Sequence, residues 1–176
     1  VFEDAAAAAS WTRPSAGSLL TARLPSQHGA VTKSSKLPDS VVTWAEVQQA
    51  AGVATGALIN NINLTASFGF DQGWDRFFYE APDHPWGVTG SALDLTWYAA
   101  LAKLRDQRAA GGKPVGEYYQ PADVVLGDAR AFMEANRDRS WALFVQLMEP
   151  HDPYFEHPYL MGTGEAEFNG VHTARA

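Results

Sequence analysis

The chain has 176 residues, of which 46% are hydrophobic and 19% charged, and its formal net charge is −7. This length and composition are those of a folded domain rather than of a disordered segment. The basic residues are scattered, which argues against nucleic acid or an anionic membrane as the main partner. Because the sequence contains no cysteine, disulfide bonds, thiolate metal sites and a cysteine nucleophile are excluded. No apolar run approaches the length of a membrane span.

The first elements along the chain are a helix and a loop. A helix is predicted from about Pro14 to Pro25, with Thr12 or Ser15 as its N-terminal cap. Residues 24–40 contain two prolines and several serines, which favours a loop.

A second helix and a strand follow. In TWAEVQQAAG (43–52), Thr43 and Glu46 have the spacing of a capping box, and Gly52 stands at the expected C-terminal stop. VATGALI (53–59) predicts a short buried strand, and the polar residues after it predict a turn.

The second half is predicted to alternate irregular and regular segments. Residues 68–87 are rich in aromatic residues, Gly and Pro, which predicts a packed irregular segment. Helices are predicted over 91–108 and 121–136, joined by a flexible connection, and WALFVQLM (141–148) predicts a strand covered on both faces. The order of elements indicates one α/β layered domain with a mainly parallel sheet, spanning residues 1–176.

Thr12 is the first candidate site residue because it precedes the predicted helix. A helix N-terminus offers unpaired N–H groups and a partial positive charge, which suit a phosphate or sulfate oxygen. The Thr12 hydroxyl could attack a bound ester while Arg13 neutralises charge on the transferred group, or it could be an ordinary capping group. A hydroxyl nucleophile needs a base or a metal for activation, and neither is adjacent in the sequence.

Other candidates follow predicted strands. His151 comes directly after the last strand, and open α/β sheets bind ligands at the carboxyl ends of their strands. Its imidazole lies between two prolines and could donate to an oxyanion or a leaving oxygen, or only cap backbone groups. Asn60 and Asn61 lie at the same edge, as ligands or as simple turn residues. His28 is expected to make a structural hydrogen bond.

Four segments in order resemble the sulfatase family of the alkaline phosphatase superfamily. TRPSAGSLLTARLPSQHG (12–29) resembles the family signature, which runs Cys or Ser, any residue, Pro, Ser, Arg, a Leu-Leu-Thr-Gly run and a later His-Gly. LPDSVVTWAEVQQAAGVATGALINN is similar to the next family segment, FGFDQGWDRFF to its Gly-Phe-Asp stretch, and WALFVQLMEPHDPY to its strand leading into a His-x-Pro-Tyr motif. The resemblance implies a three-layer α/β fold like that of alkaline phosphatase, with a mainly parallel sheet, incomplete in this chain.

The resemblance also implies roles for single positions. Thr12 stands at the nucleophile, which sulfatases convert from Cys or Ser to formylglycine; the β-methyl of threonine blocks the usual route. Other branches, including nucleotide phosphodiesterases and phosphoethanolamine transferases, use an unmodified threonine bound to metal. Ala16 stands at a family arginine, and Asn60 and Ile62 at a Lys-x-His pair that contacts the ester. His151 keeps the place of a substrate-contacting histidine.

The implied activity is a metal-dependent, sulfatase-like hydrolase of sulfuric esters. Thr12 would bind metal and attack, His151 would assist the leaving oxygen, and Arg13 and Asn60 would contact the substrate. One alternative is a phosphodiesterase or phosphotransferase of the same superfamily that uses an unmodified threonine. A second alternative is a non-catalytic binding or structural member, which the departures at Ala16, Asn60 and Ile62 favour.

The resemblance implies further expectations about cofactor, partners and location. The full-length enzyme would use a divalent metal ion (Ca, Zn, Mn or Mg), with most ligands on segments before Val1 and after Ala176. We therefore expect an internal portion of the N-terminal catalytic domain that does not turn over substrate alone. The substrate would be a small-molecule or carbohydrate sulfate or phosphate ester, with no nucleic acid partner and no membrane span. By family analogy, the location would be extracytoplasmic or periplasmic.

Overall fold

A computed structural model of the protein describes residues 6–87, 95–108, 115–149 and 151. The strands within these residues are β1 (Ala54–Ile59), β2 (Arg76–Tyr79) and β3 (Trp141–Gln146). The helices are α1 (Thr12–Thr21), α2 (Pro25–His28), α3 (Trp44–Ala50), α4 (Thr96–Arg108) and α5 (Ala122–Ala135). None of the helices in these described ranges is long and apolar enough to cross a membrane.

The three strands form a parallel sheet in the order β2-β1-β3. Ile59 at the end of β1 lies opposite Tyr79 of β2 and Gln146 of β3. Every residue of β1 is buried, as expected for a central parallel strand with both faces covered.

Successive side chains of β1 pack against two different layers. Ala57 and Ile59 belong to a cluster that includes residues of α1 and α3, whereas Leu58 packs with Val125 and Ala129 of α5. Gly56 lies on the α5 side, where a Cβ atom would come within 2.6 Å of the Phe132 ring. Helices therefore cover both faces of the sheet, and the predicted three-layer α/β arrangement with a parallel sheet is confirmed.

The local signals around α3 and β1 were interpreted correctly. The Thr43 hydroxyl accepts from the Glu46 amide at 3.2 Å, and the Glu46 carboxylate accepts from the Thr43 amide at 2.7 Å. Gly52 follows the helix with a φ of +76°. The capping box, the glycine stop and the buried strand are thus confirmed.

Two predictions of irregular structure are wrong in part. Residues 76–79, within the segment predicted to be irregular, form β2, because pairing with β1 outweighs a local composition rich in aromatic residues and glycine. The predicted loop 24–40 contains α2, which starts at a proline and is followed by Gly29 in the left-handed region. The predicted flexible connection stays a prediction, since residues 109–114 lie outside the described residues, although Tyr119 near its end is buried at 1% exposure.

The predicted covering of β3 also needs correction. Its residues are half-buried and Trp141 is exposed, because β3 borders the sheet within the described residues and only β1 pairs with it there. The helix predicted over 121–136 is confirmed as α5, with Val125, Ala129 and Phe132 buried. Val124 of the same helix is exposed.

Candidate functional site

The carboxyl ends of the three parallel strands meet at one edge of the sheet, which we call the carboxyl edge. β1 leads there into Asn60 and Asn61, β2 into Glu80, and β3 into residues 147–149. The backbone N–H of Asn60 donates to the Gln146 side-chain oxygen at 3.0 Å, which connects the ends of β1 and β3. Ligands of open α/β sheets bind at this edge, so a functional site is expected there.

Thr12 is the first residue of α1, and α1 packs against the turn of residues 62–64 that leaves β1. The N-cap is Trp11, in an extended conformation and without a side-chain cap hydrogen bond. The prediction that Thr12 or Ser15 caps the helix is therefore wrong. Thr12 is half-buried, and no hydrogen bond joins its hydroxyl to another residue in the described part of the chain.

Arg13 follows Thr12, but its guanidinium points into the protein. The residue is 2% exposed, and its Cζ lies 3.4 Å from the centroid of the Phe68 ring. Nη1 donates to the backbone carbonyls of one loop, namely those of Thr32, Lys33 and Ser35 at 3.0, 2.7 and 3.0 Å. Nε and Nη2 donate to the carbonyl and side-chain oxygens of Asn63, both at 3.3 Å. Contact of Arg13 with a substrate stays a prediction, which this burial does not favour.

Asn60 is likewise bonded within the protein. It is 3% exposed, its Nδ2 donates to the Gln120 carbonyl at 2.6 Å, and its Oδ1 accepts from the Gln120 amide at 3.0 Å. This reciprocal pair holds the residues before α5 against the end of β1. The predicted role of Asn60 in substrate binding stays a prediction, and the contacts favour a structural role.

A chain of contacts joins the start of α1 to the loop after β3. Asn63, which accepts from Arg13, donates through Nδ2 to the Asn61 side-chain oxygen at 3.1 Å. Asn61 in turn donates to the sulfur of Met148 at 3.3 Å. The Met148 carbonyl accepts from the His151 amide at 2.8 Å. The segments that carry Thr12 and His151 are therefore parts of one hydrogen-bonded unit at the carboxyl edge.

His151 lies in the loop after β3, on the side of the sheet edge that the sequence predicted. Its side chain is exposed, and its backbone makes the turn back to Met148. Residues 152–154, which complete the predicted His-x-Pro-Tyr motif, lie outside the described residues. A role for the His151 imidazole toward a leaving oxygen stays a prediction.

His28 supports the helix that carries Thr12. It is 1% exposed, its Nε2 lies 3.1 Å from the Pro14 carbonyl and 3.1 Å from the Ser18 hydroxyl, and its Nδ1 accepts from the Ala30 amide at 3.2 Å. The neutral imidazole with its proton on Nε2 satisfies these partners. Burial lowers the pKa of His28, partly offset by the bond to Pro14. The expected structural hydrogen bond is confirmed.

Two carboxylates at the carboxyl edge were not predicted from the sequence. Glu80 follows β2, and burial raises its pKa, with a further contribution from the nearby Asp128. Glu149 follows β3 and accepts from the Ala122 amide in the first turn of α5. The three successive aromatic residues Phe77, Phe78 and Tyr79, which favour strands, were the available signal for Glu80, because recognising that strand would have placed Glu80 at its end.

The described residues do not by themselves form a metal site. No group of three or more His, Asp or Glu side chains in this part of the chain is arranged to hold a metal ion. Thr12 would contribute a single hydroxyl oxygen, whereas the metals expected here need four to eight donors. Further ligands would have to come from other segments.

Comparison with known proteins gives one result. The sequence matches the family model described as Sulfatase over residues 1–172. No curated protein and no solved structure matches the sequence significantly.

Proposed function

Because the chain belongs to the sulfatase family, we propose that it forms part of a hydrolase that cleaves sulfate esters with the Thr12 hydroxyl as nucleophile. The supporting observation is the position of Thr12 in the first turn of α1, with its hydroxyl not used for capping. The first-turn N–H groups and the partial positive charge of the helix end favour a negatively charged oxygen beside it.

The proposed reaction is a displacement at sulfur. Oγ1 of Thr12 forms a bond to sulfur as the bond from sulfur to the ester oxygen breaks, and the hydroxyl proton passes to solvent water. The departing alcohol oxygen takes a proton from His151, which lies in the loop joined to α1 through Met148. Water then attacks the sulfur of the covalent intermediate as the bond from sulfur to Oγ1 breaks, which releases sulfate. One proton of the water restores the Thr12 hydroxyl and the other returns to the His151 imidazole.

Metal dependence is part of the proposal because sulfatases generally use a divalent cation. Such an ion supplies positive charge to the ester oxygens and lowers the pKa of a bound hydroxyl. No group of three or more His, Asp or Glu side chains within the described residues could hold such an ion, so Thr12 would share it with ligands from other segments.

Threonine itself favours a second candidate function, the cleavage or transfer of a phosphate ester. The β-methyl of Thr12 blocks the usual maturation to formylglycine, and an unmodified threonine is the nucleophile of phosphoester branches of the superfamily. The two candidates share Thr12 and differ only in the group transferred.

The test compares wild type, Thr12→Val and Thr21→Val in the full-length protein with a panel of aryl sulfates, phosphomonoesters and phosphodiesters. Thr12→Val keeps the shape of the side chain and removes the hydroxyl. Thr21 is the matched control, because its hydroxyl lies on the same helix and donates to the Gly17 carbonyl at 2.6 Å. Each assay is repeated after dialysis against a chelator and after metal is restored.

We expect Thr12→Val to lower turnover at least about 10³-fold, as loss of a nucleophile does elsewhere, and Thr21→Val to stay near wild type. The preferred ester in the panel decides between sulfate and phosphate transfer. Turnover that survives in Thr12→Val would refute the nucleophile. Absence of turnover with every ester in the metal-loaded wild type would favour the non-catalytic alternative.

A further inference from the structure

We propose that Arg13 is a positioning residue, which sets the first turn of α1 against the loop of His151 through Asn63, Asn61 and Met148. We call these four residues the positioning network. Its consequence for catalysis rests on the proposed function, whereas its existence as a rigid unit does not. Nothing in this network requires Arg13 to touch a substrate.

The network begins with the planar guanidinium of Arg13. It is stacked on the Phe68 ring and surrounded by four backbone carbonyls and one side-chain oxygen. A buried charge is tolerated only when its hydrogen bonds are satisfied, so any shift of α1 would leave donors unpaired at considerable cost. A lysine in this place has the charge but not the rigid fork. Arg13 therefore fixes the residue next to Thr12.

The second part is a pair of amides with one allowed orientation. The Asn61 side-chain oxygen accepts from both the backbone amide of Asn63 at 2.9 Å and its Nδ2 at 3.1 Å. The Asn63 side-chain oxygen accepts from Arg13 at 3.3 Å. Turning either amide over would set NH₂ groups against other donors. The Asn61 NH₂ group is thereby directed toward β3.

The third part is the sulfur of Met148, directly after β3. It lies 3.3 Å from Nδ2 of Asn61 and 3.4 Å from Nε2 of Gln146, so two amide donors hold a residue that is otherwise flexible. The carbonyl of the same residue receives the His151 amide. The position of the loop thus depends on the orientation of Asn61.

The network matters for a displacement because nucleophile and proton donor lie on segments far apart in the chain. Asn63 is 50 residues from Arg13, and Met148 is 87 residues from Asn61. A misplacement of about 1 Å between reacting groups can cost about 10²-fold in rate. We therefore expect loss of the network to lower kcat and to leave KM nearly unchanged.

The test uses Arg13→Met and Met148→Leu in the full-length protein, assayed with the preferred ester of the panel. Met148→Leu conserves volume and should fold even if Arg13→Met does not. Arg23→Met is the matched control, because Arg23 is an exposed arginine just after the same helix. Thr43→Ala controls for general loss of stability, since it removes the cap of α3.

We expect kcat to fall about 10- to 100-fold in Arg13→Met and Met148→Leu, with KM within about twofold of wild type. Both controls should keep kcat at a temperature well below unfolding. Equal losses of kcat in Thr43→Ala would overturn the proposal, because they would reveal a general effect of stability. Unchanged kcat in Met148→Leu would overturn it as well.

A second measurement is independent of turnover. In protein labelled at the methionine methyl carbon, the Met148 resonance is assigned from its disappearance in Met148→Leu. We expect this resonance to move in Arg13→Met and to stay in place in Arg23→Met, and an unmoved resonance in Arg13→Met contradicts the network. If Thr12→Val retains turnover, the proposed nucleophile fails, and the Met148 resonance still decides whether the network exists.

Discussion

Substitution of Gly17 by alanine tests how α1 is held, because Gly17 is where His28 packs against the helix. A Cβ atom at Gly17 would come within 2.8 Å of Cε1 and 3.1 Å of both ring nitrogens of His28. The ring cannot move away freely, since it is bonded to Pro14 and Ala30 on its two sides. Gly17→Ala must therefore distort either the helix or these hydrogen bonds.

Opposing contributions decide the sign of this change. Alanine is favoured over glycine inside a helix by about 1 kcal/mol. Overpacking a filled site costs about 1 to 3 kcal/mol, and a buried donor left unsatisfied costs a similar amount. Steric strain and lost hydrogen bonding outweigh the helix propensity, so we expect Gly17→Ala to lower the free energy of unfolding by about 1 to 2 kcal/mol.

Urea unfolding of the full-length protein, followed by circular dichroism, measures this difference. The matched control is Gly127→Ala in α5, an exposed helical glycine whose added Cβ would meet no atom of the described residues within 4 Å. There the same substitution should raise the free energy of unfolding by about 1 kcal/mol. Equal stabilisation by both substitutions would refute the packing of His28 on α1. Removing the ring as well, in a Gly17→Ala, His28→Ala double variant, should change the free energy of unfolding by an amount that differs strongly from the sum of the two single effects.

Two further predictions concern stability. Burial lowers the pKa of His28 below its ordinary value of 6.5, so the unfolded chain binds the proton more readily than the folded chain. The contribution of His28 to the free energy of unfolding should therefore be fully present above about pH 6.5 and fall as the pH drops toward the folded pKa. His28→Gln should flatten this dependence in urea midpoints measured between about pH 5 and 8, and an equally steep slope in that variant would contradict the assignment. Thr43→Ala should lower the free energy of unfolding by about 1 kcal/mol, because the α3 cap is lost. Thr43→Ser keeps the hydroxyl and should stay close to the wild-type value. An unchanged free energy of unfolding in the alanine variant would argue against the capping box.

Several parts of the fold followed from short-range signals. The Thr43–Glu46 pair and Gly52 bracket α3 because capping groups act on backbone atoms three or four residues away. The apolar run of β1 predicted a short buried strand, which the packing of Ala57 and Leu58 on opposite layers confirms. β2 could not be predicted in the same way, because its four residues gain their stability from pairing with β1.

In the candidate site, too, some features could be predicted from the sequence and others depend on the tertiary structure. The resemblance of four ordered segments, which end at residue 154, led to the sulfatase family, which the match over residues 1–172 confirms. The same resemblance assigned Arg13 and Asn60 to the substrate, and the structure surrounds both side chains with the protein's own backbone. Glu80 was missed because its place at the carboxyl edge depends on β2.

By itself, the sequence determined the family, the elements whose signals are local, and the position of Thr12 at the start of a helix. Only the tertiary structure decided which polar side chains are occupied, since the partners of Arg13 lie 19 to 50 residues away and the partner of Asn60 lies 60 residues away. The sequence of a charged or amide residue is the same whether its side chain faces solvent or a buried carbonyl. Its role is decided by the backbone that folding brings beside it.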